Sequence, residues 1–545
     1  MPALEAETMG SLLGSDNSRL LKLYHLGVIL SVAYVFYLVG LVVYRLWFHP
    51  LAKFPGPAWL AVSDIPYLYL ANYRGIFAAR VLDLHRRYGK VVRVGTNRLV
   101  VDGSVGWNDV FSHRPGGDAT EFPKAPGSFA APDGTTLLTA PNRENHRRQR
   151  RILAHAFSEA ALAEQEALIM HYVDLCMRRL SEVSRGGQPI DLMVWLNYIT
   201  FDIIGDLSFG ESFGSLEQSN YHFWVRNIIK SIKGASQRRF FRGIGLPALS
   251  RFTPGNPVQG MLDNLKYAQG KAEARMALGE TPLAPAWDGE VDAQGRPAMK
   301  PRRDFMSYMM RKSGDGQGMT TQEKLNNANT LILAGSETTA TNLSTLFFEL
   351  SVPSNRAIKE AVVAEIRSKF KREADVNFKS VQRDELPFLH ACIEESLRIH
   401  PPVVETPARV SPGATIDGHF VPKGALVTIY QNSTYRNPDN FIEPNKFLPQ
   451  RFLPPSHPMY DARLANGSNM AAFKPFSYGP RDCLGKNLAY AEMHLIACRL
   501  FLRFDMELAE ETSEDWLDSQ ICYVVWQKDP LMVKLTERKD VELKS

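Results

Sequence analysis

Cys483 stands in the run Phe476-Ser477-Tyr478-Gly479-Pro480-Arg481-Asp482-Cys483-Leu484-Gly485, which has the makings of a thiolate ligand to a metal. A sulfur offered to iron needs a turn that exposes it and turns backbone N–H groups toward it. Gly479 and Gly485 can supply the unusual backbone angles and close approach of such a turn. Lys486 to about Phe501 follows a helical pattern, so Cys483 falls at a helix amino terminus, where the dipole and free N–H groups favour an anion. Phe476 would screen the sulfur from water. A buried structural cysteine in a Gly-Pro turn is the plainer reading, and the FxxGxRxCxG frame argues against it.

Three further clusters can carry chemistry or support it. Ala334-Gly335-Ser336-Glu337-Thr338-Thr339 lies in an apolar helix predicted around Leu325 to Leu350. Thr338 can bond back to the carbonyl of Ala334 and open the helix locally. The alternative is a Gly packing contact with a polar pair turned to solvent. Glu395 and Arg398, three apart on a helix ending at Pro401-Pro402, can pair; left exposed, such a pair contributes little. In His146-Arg147-Arg148-Gln149-Arg150-Arg151, the arginines Arg147, Arg148 and Arg151 form either a solvated basic face or a docking surface for an acidic partner, and both readings can hold together.

In order and spacing these segments resemble the cytochrome P-450 family. The resemblance implies a mainly α fold with a minor β part, and a haem b whose proximal ligand is the Cys483 thiolate. Phe476, Gly479 and Gly485 would frame that ligand, and Arg481 would pair with a haem propionate. Glu337 and Thr338 match the acid–alcohol pair that relays protons to dioxygen. Glu395 and Arg398 would join Arg451, in Phe447-Leu448-Pro449-Gln450-Arg451-Phe452, as a structural lock; Gln450 departs from the Glu common there. His146 and Arg150 fall where the family has an aromatic residue and an arginine under the propionates, and Arg409 resembles another propionate partner.

The activity implied is insertion of one oxygen atom from O2 into an apolar small molecule. Hydroxylation comes first, with epoxidation and desaturation as alternatives. Electrons would come from NADPH through a separate flavin reductase, because no Gly-rich dinucleotide fingerprint occurs; cytochrome b5 is a second candidate donor. The run YRLWFHPLAKFPGP and the end of the chain from Asn487 to Arg538 look like microsomal fungal monooxygenases that tailor secondary metabolites such as polyketides or terpenoids. An oxygen-independent isomerase or dehydratase, or a non-enzymatic haem sensor, would share Cys483 but would not need Glu337 and Thr338.

The elements that must position these residues are legible in outline. Over 545 residues, 45% hydrophobic and 22% charged, the composition is that of an ordinary globular protein, and the length allows two or more domains. A net charge of +5 with no reading motif speaks against nucleic acid. Cys176, Cys392, Cys483, Cys498 and Cys522 form no CxxC pair, which excludes a zinc knuckle and suits a reducing compartment. Leu26 to Tyr44 carries no charge and is long enough to cross a membrane. Arg45 and Lys53 follow it, so the charge bias favours a tail at 1–25 in the lumen and a catalytic domain facing the cytoplasm, at the endoplasmic reticulum. Residues 45–57 are basic and proline-rich and read as a stiff hinge, leaving 58–545 as the catalytic unit. Val91 to Val101 reads as strand, turn, strand, and 279–302 as an exposed polar loop. The walls of a substrate site are sought in Phe122 to Leu138, the helix face before Ala334, and Val403 to Pro407. The loop Gly234 to Gly255, with Phe240, Phe241, Leu246 and Phe252, is expected to dip into the membrane surface.

Overall fold

The computed structural model describes residues 3–126, 136–220, 223–252, 257–279, 285–291, 297–301, 303–311 and 318–543. Its first helix, α1 (Ala3–Val43), continues as a π-helical turn, Tyr44–Phe48. The stretch from Leu21 to Phe48 is strongly apolar and has none of its most apolar window buried in the rest of the chain, as in a membrane-spanning helix. Leu192–Phe209, here α3, passes the same test of length and hydropathy, but 89% of it is buried, so it is a core helix.

The proline-rich segment after α1 is fastened to the globule. Leu51 and Phe54 are buried. Gly56 lies so close to the next strand that a Cβ on it would come 2.1 Å from the Arg93 carbonyl oxygen. Arg93, itself buried, donates to the carbonyl of Arg45 (2.7 Å) and to those of Gly95 and Thr96.

β1 (Val91–Gly95) and β2 (Arg98–Val101) pair antiparallel across the expected turn. β3 (Arg409–Val410) and β4 (Leu426–Thr428) complete a sheet of order β1-β2-β4-β3, in which β2 runs parallel to β4. The β-branched residues of these strands bury both faces of the sheet, which suits their stiff side chains. In the polar stretch read as a loop, Pro285–Val291 and Pro297–Pro301 instead form a two-stranded hairpin. Both strands are edges, where a proline lacking its N–H is tolerated.

The helical part is organised on α4 (Thr321–Glu349). Thr320 and Glu323 close a reciprocal capping box at its start, satisfying two donors that a helix end leaves open. From Leu343 to Leu350 every side chain is buried. Gly335 lets α3 approach: a Cβ there would meet Ile204 Cδ1 at 2.6 Å. The glycine therefore serves helix packing.

Glu395 and Arg398 lie on α5 (Pro387–Ile399), both with fully buried side chains. Arg398 grips the carboxylate through Nε (2.7 Å) and Nη2 (2.8 Å), Arg451 Nε reaches it at 3.1 Å, and the Leu448 N–H donates to it at 2.8 Å. The expected three-residue lock is formed, and in the core instead of at the surface. Two guanidinium groups share one carboxylate, and backbone carbonyls of Tyr435, Pro444, Lys446 and Ile442 with the Ser468 hydroxyl take further donors, so the extra charge is spread over oriented dipoles. Ser396 of the same helix bonds to Asn342 on α4 at 2.9 Å.

Candidate active site

The loop 476–485 closes on itself before α6 (Lys486–Arg503) begins. The Cys483 N–H donates to the Phe476 carbonyl at 2.8 Å, and the Phe476 ring packs on Tyr490 with centroids 4.9 Å apart. Gly479 has φ +76°, and a Cβ on it would lie 2.0 Å from the Phe111 carbonyl oxygen, so only glycine fits. Gly485 differs from expectation. Its φ is −85° and a Cβ there would make ordinary contact with Phe157 at 3.7 Å, so neither backbone angle nor protein packing requires glycine; that side of the turn is open.

Cys483 is exposed, yet burial of its surroundings raises its thiol pKa. Both hold if the sulfur faces a hollow inside the molecule. The Gly485 N–H, Arg150 and Lys486 pull the other way, as a helix start should, but burial is the larger effect. A coordinated metal cation is what would deprotonate such a thiol outright.

On α4, Thr338 Oγ1 donates to the Ala334 carbonyl at 2.7 Å, as expected. Ala334 is exposed and Thr338 half-buried, while Ile332, Ser336, Glu337 and Thr339 are buried. Ala334 and Thr338 thus form an open strip in the packed middle of the helix. Glu337 points elsewhere. Lys528 Nζ donates to its carboxylate and to Thr341 Oγ1 (2.7 Å), and both ion-pair side chains are nearly inaccessible. One step further along α4, Thr339 hydrogen-bonds Glu492 of α6, whose pKa burial pushes up to about 8.

α2 (Arg143–Ala154) brings His146 and Arg150 to the loop. Arg150 donates to the carbonyl (2.7 Å) and carboxylate (2.5 Å) of Asp482, beside Cys483. Arg481 donates to Glu121 (2.6 Å) and to the carbonyls of Ala140 and Pro141. Arg409 is buried, its Nη1 donating weakly to the Phe122 carbonyl at 3.3 Å and its Nε finding no partner. A further cation, Lys124, lies opposite it across an isolated bridge. Burial and neighbouring cations lower Arg409 to about 9, His146 to about 2, and Lys124 far below its ordinary value. Such a cluster calls for an anion.

The sequence matches the Cytochrome P450 family profile over residues 55–535. The chain belongs to the cytochrome P450 family. It is 41% identical over 502 residues to the cytochrome P450 monooxygenase astJ of Aspergillus oryzae, covering 91% of this chain and 94% of that one. The trichothecene C-4 hydroxylase of Trichoderma arundinaceum is 36% identical (91% and 94% covered), and the trichothecene C-15 hydroxylase of Fusarium sporotrichioides is 36% identical (92% and 96%). This P450 is therefore a monooxygenase that works with a cysteine-ligated haem and a redox-partner reductase, in a family group devoted to fungal secondary metabolism.

The residues present fit that haem: an exposed sulfur in a glycine-locked turn, buried cations short of anions, and an open strip on the central helix. Sequence reasoning missed Lys124, Lys528, Asp482 and Glu492. Lys124 alone left a local signal, as a lone cation in the apolar run from Phe122 to Phe129. Of the basic helix, Arg148 turns inward to Glu323, while Arg147 and Arg151 are exposed and line a cleft of about 310 Å³ with Arg143 and Arg150. Val403 is 36% exposed between buried neighbours, as a cavity wall would be; 127–135 of the Phe122–Leu138 wall lies outside the described residues. The segment expected to be a loop from Gly234 to Gly255 is instead the end of a helix, Phe223–Gly243, and a short 3-10 helix, Pro247–Phe252; its Phe240 and Phe241 pack on Tyr69 and Tyr73. Leu246 and Leu249 are the exposed members, and the Phe252 side chain lies outside the described residues.

Proposed function

We propose that this P450 hydroxylates an apolar intermediate of fungal secondary metabolism, with Cys483 as its haem ligand and Thr338 beside the reacting oxygen. The observation that carries this reading is Cys483, exposed at the end of a glycine-locked turn before α6. The names of the two trichothecene hydroxylases support hydroxylation over epoxidation or desaturation. When bound, haem supplies the activation of dioxygen that no side chain can perform.

The chain's own part is ligation, orientation and proton handling. Cys483 donates charge to the metal, and the turn's N–H groups hold the sulfur in place. Thr338, tied by its hydrogen to Ala334 carbonyl, keeps oxygen lone pairs free to accept from a protonated species or a water in the hollow. Glu337, held by Lys528 on another side of the helix, is the nearest acid in sequence through which protons can be resupplied. Glu395, Arg398 and Arg451 act through the scaffold only. Val403 and Ala334 present apolar walls for substrate, consistent with a greasy ligand.

The remaining assignments follow from charge and hydropathy. The exposed Arg147 and Arg151 form the docking face for an acidic flavin reductase drawing on NADPH, and for cytochrome b5 where it serves. The anchor at 26–44 holds the domain 58–545 at the cytoplasmic face of the endoplasmic reticulum, with 1–25 in the lumen and 45–57 as the docked hinge. Leu246 and Leu249 touch the lipid surface.

Cys483→Ala tests the ligand: the reduced, carbon-monoxide-bound protein should lose the thiolate band that names the family. A retained band would remove Cys483 from the site. Thr338→Ala tests the oxygen side: haem stays, while NADPH consumption separates from product and peroxide rises. Unchanged coupling would overturn the role given to Thr338.

A further inference from the structure

Four titratable side chains meet between α5 and α6 beside the thiolate loop, and none of them takes part in ligation or in proton handling around Thr338. Tyr490 and His494 come from α6, His390 and Glu394 from α5. The Tyr490 hydroxyl donates to Glu394. Its ring packs on that of Phe476, whose carbonyl takes the Cys483 N–H. The rings of His390 and His494 stack with their planes 4° apart, and His390 Nδ1 lies 3.2 Å from His494 Nε2. His494 is buried and the other three are half-buried.

Hydrogen-bond roles in this group are fixed by the one partner that can only accept. His494 Nδ1 lies 2.7 Å from the Tyr490 carbonyl, so that nitrogen carries the proton, and Nε2 is bare in the neutral ring. Burial keeps both imidazoles neutral, lowering His494 to about 4 and His390 to about 3. His390 then donates from Nδ1 to His494, which leaves its own Nε2 bare. That nitrogen faces Glu394 Oε1 at 3.6 Å, and burial raises the Glu394 pKa. A bare imidazole nitrogen opposite a carboxylate oxygen makes two acceptors short of one proton. The phenol bonded to the same carboxylate can supply it.

We propose that Tyr490 is a redox-active residue, which reduces the haem–thiolate centre when that centre is oxidised with no substrate to attack. This rests on the reading of Cys483 as the haem ligand. One electron passes from the phenol to the oxidised haem–thiolate centre. The Tyr490 O–H bond breaks as its proton bonds to Glu394 and moves on to His390 Nε2. An electron from the reductase then converts the phenoxyl back to the phenol, and the proton returns through the same two groups. A phenol yields an electron readily only when its proton can leave too, and Glu394 and His390 are placed to take it. Tyr67 and Tyr172 also donate to carboxylates, but their rings pack on Phe77 and His171, whereas Tyr490 packs on the thiolate loop itself.

The test mixes purified full-length protein with hydrogen peroxide without substrate, freezes it, and reads electron paramagnetic resonance alongside haem bleaching. Wild type should give a phenoxyl signal that changes shape when the protein carries ring-deuterated tyrosine. Y490F keeps a ring against Phe476, and should lose that signal and bleach several-fold faster. E394Q leaves the phenol in place with an acceptor that cannot take its proton. It should lose most of the signal with the thiolate band unchanged, which a packing role for Tyr490 would not produce, and it serves where Y490F does not fold. Should Y490F keep the wild-type signal and bleaching rate, or E394Q form as much radical as wild type, the inference falls. A wild type that shows the thiolate band yet forms no phenoxyl overturns it as well. A wild type without that band overturns the reading of Cys483 instead.

Discussion

Lys528→Met should destabilise this P450 more than Glu337→Gln, and combining them should restore much of the loss. Lys528 and Glu337 have side chains about 5–6% exposed, so breaking the pair leaves a charge where water cannot reach. That costs about 3–5 kcal/mol, whereas replacing both partners with groups of similar shape is close to neutral. Glutamine at 337 keeps a carbonyl for the lysine, which makes it the milder single change; methionine at 528 strands the carboxylate with Thr341 as its remaining neighbour. At about 2 cal/mol/K of unfolding entropy per residue, a globule the size of 55–535 loses about 1 °C of Tm per kcal/mol. K528M should then melt about 3–5 °C below wild type, followed by loss of the thiolate band on heating. The double variant should lie above K528M. Should it instead melt lowest of the set, by the sum of both losses, the two side chains do not stabilise each other and the ion pair has no bearing on how Glu337 is held.

Gly479→Ala should cost more haem than Gly485→Ala, because a Cβ at 479 collides with the Phe111 carbonyl while one at 485 meets no backbone; equal haem content in the two variants would count against the strained-turn reading. Glu492 should give the protein a pH-dependent stability. Its folded pKa, pushed up to about 8 from 4.5 by burial, means the folded state holds a proton the unfolded chain releases, so this contribution is full below pH 4.5 and fades as pH rises through about 8. Glu492→Gln should flatten the melting temperature across that window, and an unchanged slope would show that another group carries it.

Local chemistry was legible in the sequence, and distant partners were not. The turn at Gly479, the Thr338 bond to the carbonyl four residues back, and the Glu395–Arg398 pair each depend on a few consecutive residues. Their geometry follows from chain stereochemistry once the element type is known. The long apolar helix near the N-terminus was legible for the same reason, as a property of one continuous run. Gly335 shows the limit: a helix-weakening glycine has a purpose that only its packing partner on α3 reveals.

What the sequence withheld was electrostatic closure. Glu337 meets a lysine 191 positions away, Arg150 a carboxylate 332 away, and Arg398 the carbonyls of a strandless stretch near 435–446. A charge in sequence has no assigned counter-ion, and a buried charge must have one, because desolvation outweighs any local preference. The test of a site read from motifs is therefore whether its buried charges balance once the fold has brought every partner in. Around Glu395 two arginines meet one carboxylate, and backbone carbonyls answer the excess positive charge. Near the thiolate loop, Lys124 and Arg409 are also in excess, and there Arg409 keeps a buried Nε without an acceptor. Two neighbouring buried cations near Cys483 with no carboxylate of their own call for a negatively charged group, which is how the cofactor registers in the protein's own charges.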